Sequence, residues 1–334
     1  MQTALITTTI NVPKVLALYR KLGPDVKFFV AADEKTPLEA YAFCGDIPNC
    51  EIYSPDRQKE LGYECSALIG WNNDSRRNIA LLEAVKSGAE IIVSVDDDMI
   101  PMGDFFGTID RVFSHPYSGV QMGSPGEWFD AGQLTIAPAR QRGLPLSHKP
   151  DNAASLITDV NIGAMQCVVL GVPDTDSITA ISKQPFILDA SDILRYGVVA
   201  HQDAFSVFNS QATAFRREFA PCFAQFYKWQ GRNTDIFASL IMRWVMREWG
   251  AYTYFGLPAA FHARSQRPLI NDLKAEMWGM ERIERFAAFL NACILPHEKV
   301  VNNLRLLYRA MGEEGMHDMT ACALAFLEDM ENVL

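Results

Sequence analysis

No apolar run in this chain of 334 residues reaches the roughly 18 to 20 residues that a bilayer span requires. The opening segment, MQTALITTTINVPKV, also lacks a charged stretch followed by an apolar one and a small-residue cleavage site, so a cytoplasmic location is expected. No two cysteines form a CxxC pair. They stand singly at Cys44, Cys50, Cys65, Cys167, Cys222, Cys293 and Cys322, and this odd, scattered set suits reduced structural thiols better than a disulfide framework or a zinc knuckle. Positive charge is scarce: 30 Lys and Arg face 40 Asp and Glu, a formal net charge of −10. That disfavours a general grip on nucleic acid or an anionic membrane, although one local basic groove would suffice for either.

Glycine is missing where a dinucleotide-binding turn needs it, because the first apolar strand runs into TTTINVPK. A phosphate-binding GxxxxGK followed by Ser or Thr is absent too, as are low-complexity linkers and internal repeats. With 49% hydrophobic and 21% charged residues, the composition excludes disordered, collagen-like and coiled-coil classes.

What is there is an alternation of strand-like and helix-like segments. Residues 4–10, 26–31 and 90–95 are short apolar runs, separated by helical periodicity over 12–22 and 75–87. This pattern predicts an α/β fold, a mixed and mainly parallel sheet flanked by helices. Ligands of such sheets bind beyond the carboxyl ends of the strands, which puts Thr8 and Thr9, then Asp33, then Asp96 to Asp98 in position. Residues 101–221 are less regular and are expected to be loops and mixed strands forming an acceptor-side wall. A helix is expected over 235–249, a strand over 251–255, and helices over 273–290, 298–311 and 316–334. The simplest division is a catalytic domain, 1–268, with a C-terminal helical subdomain, 269–334.

The sharpest feature is IIVSVDDDMIP, residues 91–101, where three carboxylates follow a buried run. Adjacent acids repel, and folding alone has no use for three of them at a strand end, so a hard divalent cation is the natural reason to assemble them. Alternate residues of an extended segment face the same way, so Asp96 and Asp98 are candidate metal ligands. Asp97 then becomes a nucleotide-sugar contact. Arg76 and Arg77 open the preceding helix and are candidates for bidentate phosphate binding. Asp33 could accept hydrogen bonds from a base or ribose.

In this order, ITTTINVPK, AADEK and DSRRNIALLEAVKSGAEIIVSVDDDMIP resemble the nucleotide half of a GT-A glycosyltransferase. RGLPLSH (142–148), LGVPDTDSITA (170–180), FNSQATAFRREFAP (208–221), GRNTDIFASLIMRWVMREWG (231–250) and GLPAAFHARSQRPLINDLKAE (256–276) follow in the order and spacing of the reversibly glycosylated polypeptide family. That family contains the plant UDP-arabinopyranose mutases. The resemblance spans roughly residues 3–285 and leaves the last helices uncovered. It implies a Rossmann-like GT-A fold in which Asp96, Asp97 and Asp98 hold Mn2+ or Mg2+ with the diphosphate of a UDP-sugar. It further implies His262 as a metal ligand and Arg264, where the family has lysine, as positive charge for the leaving diphosphate. Asp235 matches one of two family acids at the head of a helix, and Thr234 replaces the other. Arg142 falls in the RGLPLSH segment as a nucleotide-sugar contact. Lys149 stands near the position of an arginine that the plant mutases associate with self-glycosylation, and lysine lacks the bidentate geometry of a guanidinium.

The expected activity is metal-dependent transfer of a sugar from a nucleoside diphosphate, UDP by preference, to a separate and unidentified acceptor, with Asp203 and Asp235 as candidate catalytic acids. One alternative is a mutase that interconverts ring forms of a UDP-sugar. Another is a non-catalytic nucleotide-sugar-binding subunit that docks through the apolar stripe of its C-terminal helices, which bears Phe286, Phe289, Leu290, Leu304, Leu307, Phe326 and Leu327. Assembly into a homo-oligomer is left open.

Overall fold

A parallel unit starts the sheet. In the computed structural model, which describes residues 1–263, 268–313 and 317–334, strands β1 (Thr3–Thr9), β2 (Lys27–Ala32), β3 (Cys50–Tyr53) and β4 (Ile91–Val95) align in parallel in the order β3-β2-β1-β4. Helices cross between them, and all five residues of β4 are buried, as expected for a strand covered on both faces. Successive side chains serve opposite faces: Ala4 and Ile6 join one apolar cluster with Phe29, Ala31 and Ile92, while Leu5 joins the other with Phe28, Val30, Ile91 and Val93.

The sheet then turns mixed. Beyond β4 come β9 (Ala212–Arg216), β7 (Ala154–Gly171), β6 (Tyr117–Met122), β8 (Val198–Ala200), β10 (Ala251–His262) and β5 (Met99–Met102), ten strands among the described residues. β10 also pairs in parallel with β7. Two antiparallel pairings matter for the site. Ala212 of β9 sits opposite Val95, so Ser210 and Gln211 arrive beside the acids that follow β4. His262 of β10 sits opposite Met99 of β5, immediately after Asp98.

Several sequence expectations shift. The short strand β3 lies between the second and third anticipated ones, so Asp96 to Asp98 follow the fourth strand of the chain. Residues 101–221 hold more order than expected, including the helix Phe105–Ser114 and the 18-residue β7. The helix expected over 273–290 is two, Leu269–Met280 and Ile283–Ala292.

The C-terminal helices pack against the helices that flank the sheet. Phe286, Leu290, Leu304, Leu307, Phe326 and Leu327 are buried in the same apolar cluster as Ala4 and Ile6, so this stripe is core and not a free docking surface. Asp329 fixes the helix His317–Val333 by accepting the backbone N–H groups of Glu64 (3.0 Å) and Cys65 (2.9 Å), two unpaired donors at the start of the helix Glu64–Ile69. All seven cysteines are free thiols. Among the described residues no helix is long and apolar enough to cross a membrane.

Candidate functional site

A polar cavity of about 330 Å3 opens beyond the carboxyl ends of β1, β2 and β4, where the strand order places ligands in such sheets. Its lining includes Thr8, Thr9, Asp33, Arg77, Asp96, Asp97, Asp98, Arg142 and Asp235, nine of the residues singled out from sequence. His262 adjoins it through Asp98. Arg76, Lys149 and Asp203 are not in the lining, and Arg264 lies outside the described residues.

The three consecutive acids diverge. Asp96 Oδ1 pairs with Arg77 Nη2 at 2.5 Å. Asp97 accepts hydrogen bonds from the Thr9 hydroxyl and from Asn11 Nδ2 (3.3 Å), and burial is the main reason its carboxyl is raised above the ordinary range. Asp98 Oδ2 lies 3.2 Å from His262 Nε2. The other ring nitrogen, Nδ1, is 2.8 Å from the Val172 carbonyl and donates to it, which orients Nε2 toward Asp98. Burial alone would lower the imidazole's affinity for a proton, but the Asp98 hydrogen bond and charge outweigh it and the net shift is upward.

The Asp98–His262 pair fits the expected cation in part. Two donors at about 2.1 Å from one octahedral ion and at right angles to each other stand roughly 3 Å apart, close to the observed separation. Among the described residues, however, no group of three His, Cys, Asp or Glu is disposed to hold a metal. Asp96, expected as the second ligand, is engaged by Arg77 instead.

The arginines divide into two kinds. Arg76 is fully buried, donates to the Ser66 carbonyl and hydroxyl (both 2.9 Å) and lies 4.0 Å over the Trp71 ring. It faces away from the cavity as a packing residue, and burial lowers its guanidinium to about 10. Arg77 lines the cavity, but its two terminal nitrogens are engaged by Asp96, Ser94 Oγ (3.1 Å) and the Ser210 carbonyl (2.9 Å). Arg142 is clamped between two buried carboxylates, Asp174 and Asp235, at 2.8 to 3.0 Å, and also donates to the Arg232 carbonyl. Burial opposes its charge, yet the two acids raise its pKa well above the ordinary arginine value.

Asp235 opens the helix Thr234–Glu248 and accepts the Ser210 N–H (3.1 Å) and its neighbour Ile236 N–H (3.0 Å) as well as Arg142. That leaves its oxygens few open acceptor positions. Asp33 is similarly engaged, taking the backbone N–H groups of Glu34, Asn72 and Asn73 at 2.7 to 3.2 Å, and so it shapes the cavity wall. Lys149 is exposed on the loop after RGLPLSH, and Asp203 is exposed on the turn after β8.

Three residues, two lining the cavity and one behind its wall, escaped the sequence reading. Asp174 supplies the second carboxylate for Arg142. Asp74 stands accessible in the cavity, and its carboxyl makes no hydrogen bond or ion pair among the described residues. Crowding by protein, with the Asp96 charge nearby, raises it above the ordinary range. Arg232 lines the wall near Asp235. The polar run Asn72-Asn73-Asp74 and the spacing of Arg232 before Asp235 were the available signals.

No protein-family model and no curated protein sequence matches this chain. Two solved structures of residues 1–349 of S. aureus TarS are similar along all of this chain and 90% of theirs, each at 11% identity. The one in complex with UDP-GlcNAc has a TM-score of 0.38, the other 0.36. Values this low carry no argument about this chain, and the reading of the cavity stands on its own geometry.

Proposed function

We propose that the protein transfers a sugar from a nucleoside diphosphate, with UDP the expected nucleotide, to a separate acceptor, and that the donor binds in the cavity beyond β1, β2 and β4. The observation that supports this most is the Asp98–His262 pair set in a lining of six carboxylates against three guanidiniums. A diphosphate entering that lining alone meets net repulsion, and a divalent cation entering with it removes the repulsion. Asp98 and His262 would hold Mn2+ or Mg2+, leaving positions for water and phosphate oxygens. Such an ion supplies Lewis-acid stabilisation of the departing diphosphate.

The protein's own groups do the rest by position. Arg77 holds Asp96, and Thr9 with Asn11 holds Asp97, so the loop after β4 presents Asp98 in a fixed direction. The Arg142 clamp keeps Asp235 oriented at the wall for the hydroxyls of the sugar. Asp74, accessible and raised, is the group suited to take the proton of an attacking hydroxyl.

The test is UDP release from a panel of UDP-sugars with Mn2+, followed with and without added sugar acceptors. Acceptor-dependent release supports the transferase. Conversion of UDP-arabinopyranose to its furanose form with no acceptor supports the mutase instead, and tight UDP binding with neither reaction leaves a binding subunit.

A further inference from the structure

We propose that Arg232 is the side chain of the cavity that grips the distal phosphoryl group of the nucleotide. The inference rests on the reading of the cavity as a nucleoside diphosphate site and goes beyond it by naming the guanidinium that remains available among the described residues.

Three described arginines line the cavity, and their hydrogen bonds separate them. All three guanidinium nitrogens of Arg142 donate to Asp174, Asp235 or the Arg232 carbonyl. Both terminal nitrogens of Arg77 are taken by Asp96, Ser94 and Ser210, and its Nε is buried. Neither residue can turn to an incoming phosphate without abandoning a buried partner, a step that costs more than the new bond returns.

Arg232 is built differently. Its Nε donates to Glu276 Oε1 and its Nη1 to Asp272 Oδ1, each at 3.2 Å, while Nη2 has no partner among the described residues and is not buried. The side chain is 18% exposed. The two acids come from one helix, Leu269–Met280, and Glu276 is itself fixed by the Ser177 N–H at 2.8 Å. Asn233 Nδ2 ties the adjacent backbone to the Glu276 carbonyl at 3.0 Å. The guanidinium is therefore held at two nitrogens and presents the third, an arrangement that fixes a donor before the ligand arrives. Its charge is also felt by Asp74 in the same cavity, where it opposes the rise in that carboxyl's pKa.

The proposal is tested by titrating UDP and uridine, each with Mn2+, into the wild type, Arg232→Gln and Arg232→Lys. Affinity for UDP is expected to fall about 10- to 100-fold in Arg232→Gln, with uridine unchanged. Arg232→Lys keeps the charge opposite Asp272 and Glu276, so it carries the same readout, at a smaller loss, if the glutamine variant does not fold. Wild-type affinity for UDP in both variants overturns the proposal while leaving the nucleotide site intact. A wild type that binds UDP no better than uridine removes the underlying reading, and this inference with it.

Discussion

His262 and Asp98 are 164 residues apart in sequence, yet the pairing of β10 with β5 sets them side by side, with Nε2 and Oδ2 separated by 3.2 Å. His262 closes β10 opposite Met99, the residue after Asp98, so strand register alone delivers the contact. The Val172 carbonyl then selects which ring nitrogen faces the carboxylate. An imidazole held from behind and an acid at the end of a loop make a rigid two-donor corner at the edge of the cavity.

Replacing Asp174 by alanine should destabilise the protein by about 3 to 5 kcal/mol, because Arg142 would keep its burial and lose one of two buried partners. Urea denaturation should show a lower midpoint with an unchanged slope. A loss below about 1 kcal/mol would mean that Asp235 alone satisfies Arg142.

Stability should fall as pH rises from about 4 to 6 because of Asp130. Burial holds its carboxyl at about 6, above the ordinary value, despite hydrogen bonds from Gly132, Gln133 and Gln141. Between those pH values the native state keeps a proton that the unfolded chain has released, so the effect is absent below the window and complete above it. Relative to Asp130→Asn, the wild type should lose up to about 3 kcal/mol across this range. Equal pH slopes for the two proteins would refute the assignment.

Arg76→Met should leave UDP binding unchanged within about twofold, since the side chain packs under Trp71 and touches nothing in the cavity. Exchanging a buried cation without a carboxylate partner for an apolar chain of similar length should alter stability little. Calorimetry that finds weaker nucleotide binding would return Arg76 to the site.

The strand ends were legible because β1, β2 and β4 are largely buried runs with polar residues immediately after them. Asp96 to Asp98 and Thr9 were singled out that way, and Arg77 by its place at the head of the helix before β4. Side-chain direction was not legible. Asp96 and Asp98 sit at the alternating positions expected to converge, but the chain turns at Asp97 and sends them to Arg77 and His262. Neighbouring Arg76 and Arg77 likewise point to different sides of the helix they open, one under Trp71 and one at the cavity. Asp174 and Arg232 were missed because their partners, Arg142, Asp272 and Glu276, are 32 to 44 residues away, and only the packed fold brings them together.

The central claim is that metal and nucleotide bind together through Asp98. Its most direct test is the thermal unfolding of wild type and Asp98→Asn with UDP, in Mn2+ and in EDTA. A ligand at about 100 times its Kd adds roughly 2.7 kcal/mol to stability. The wild type should therefore gain several degrees only when UDP and Mn2+ are both present, while Asp98→Asn should melt near the unliganded wild-type temperature in every condition. An equal shift in EDTA, or a full shift in Asp98→Asn, would contradict the account.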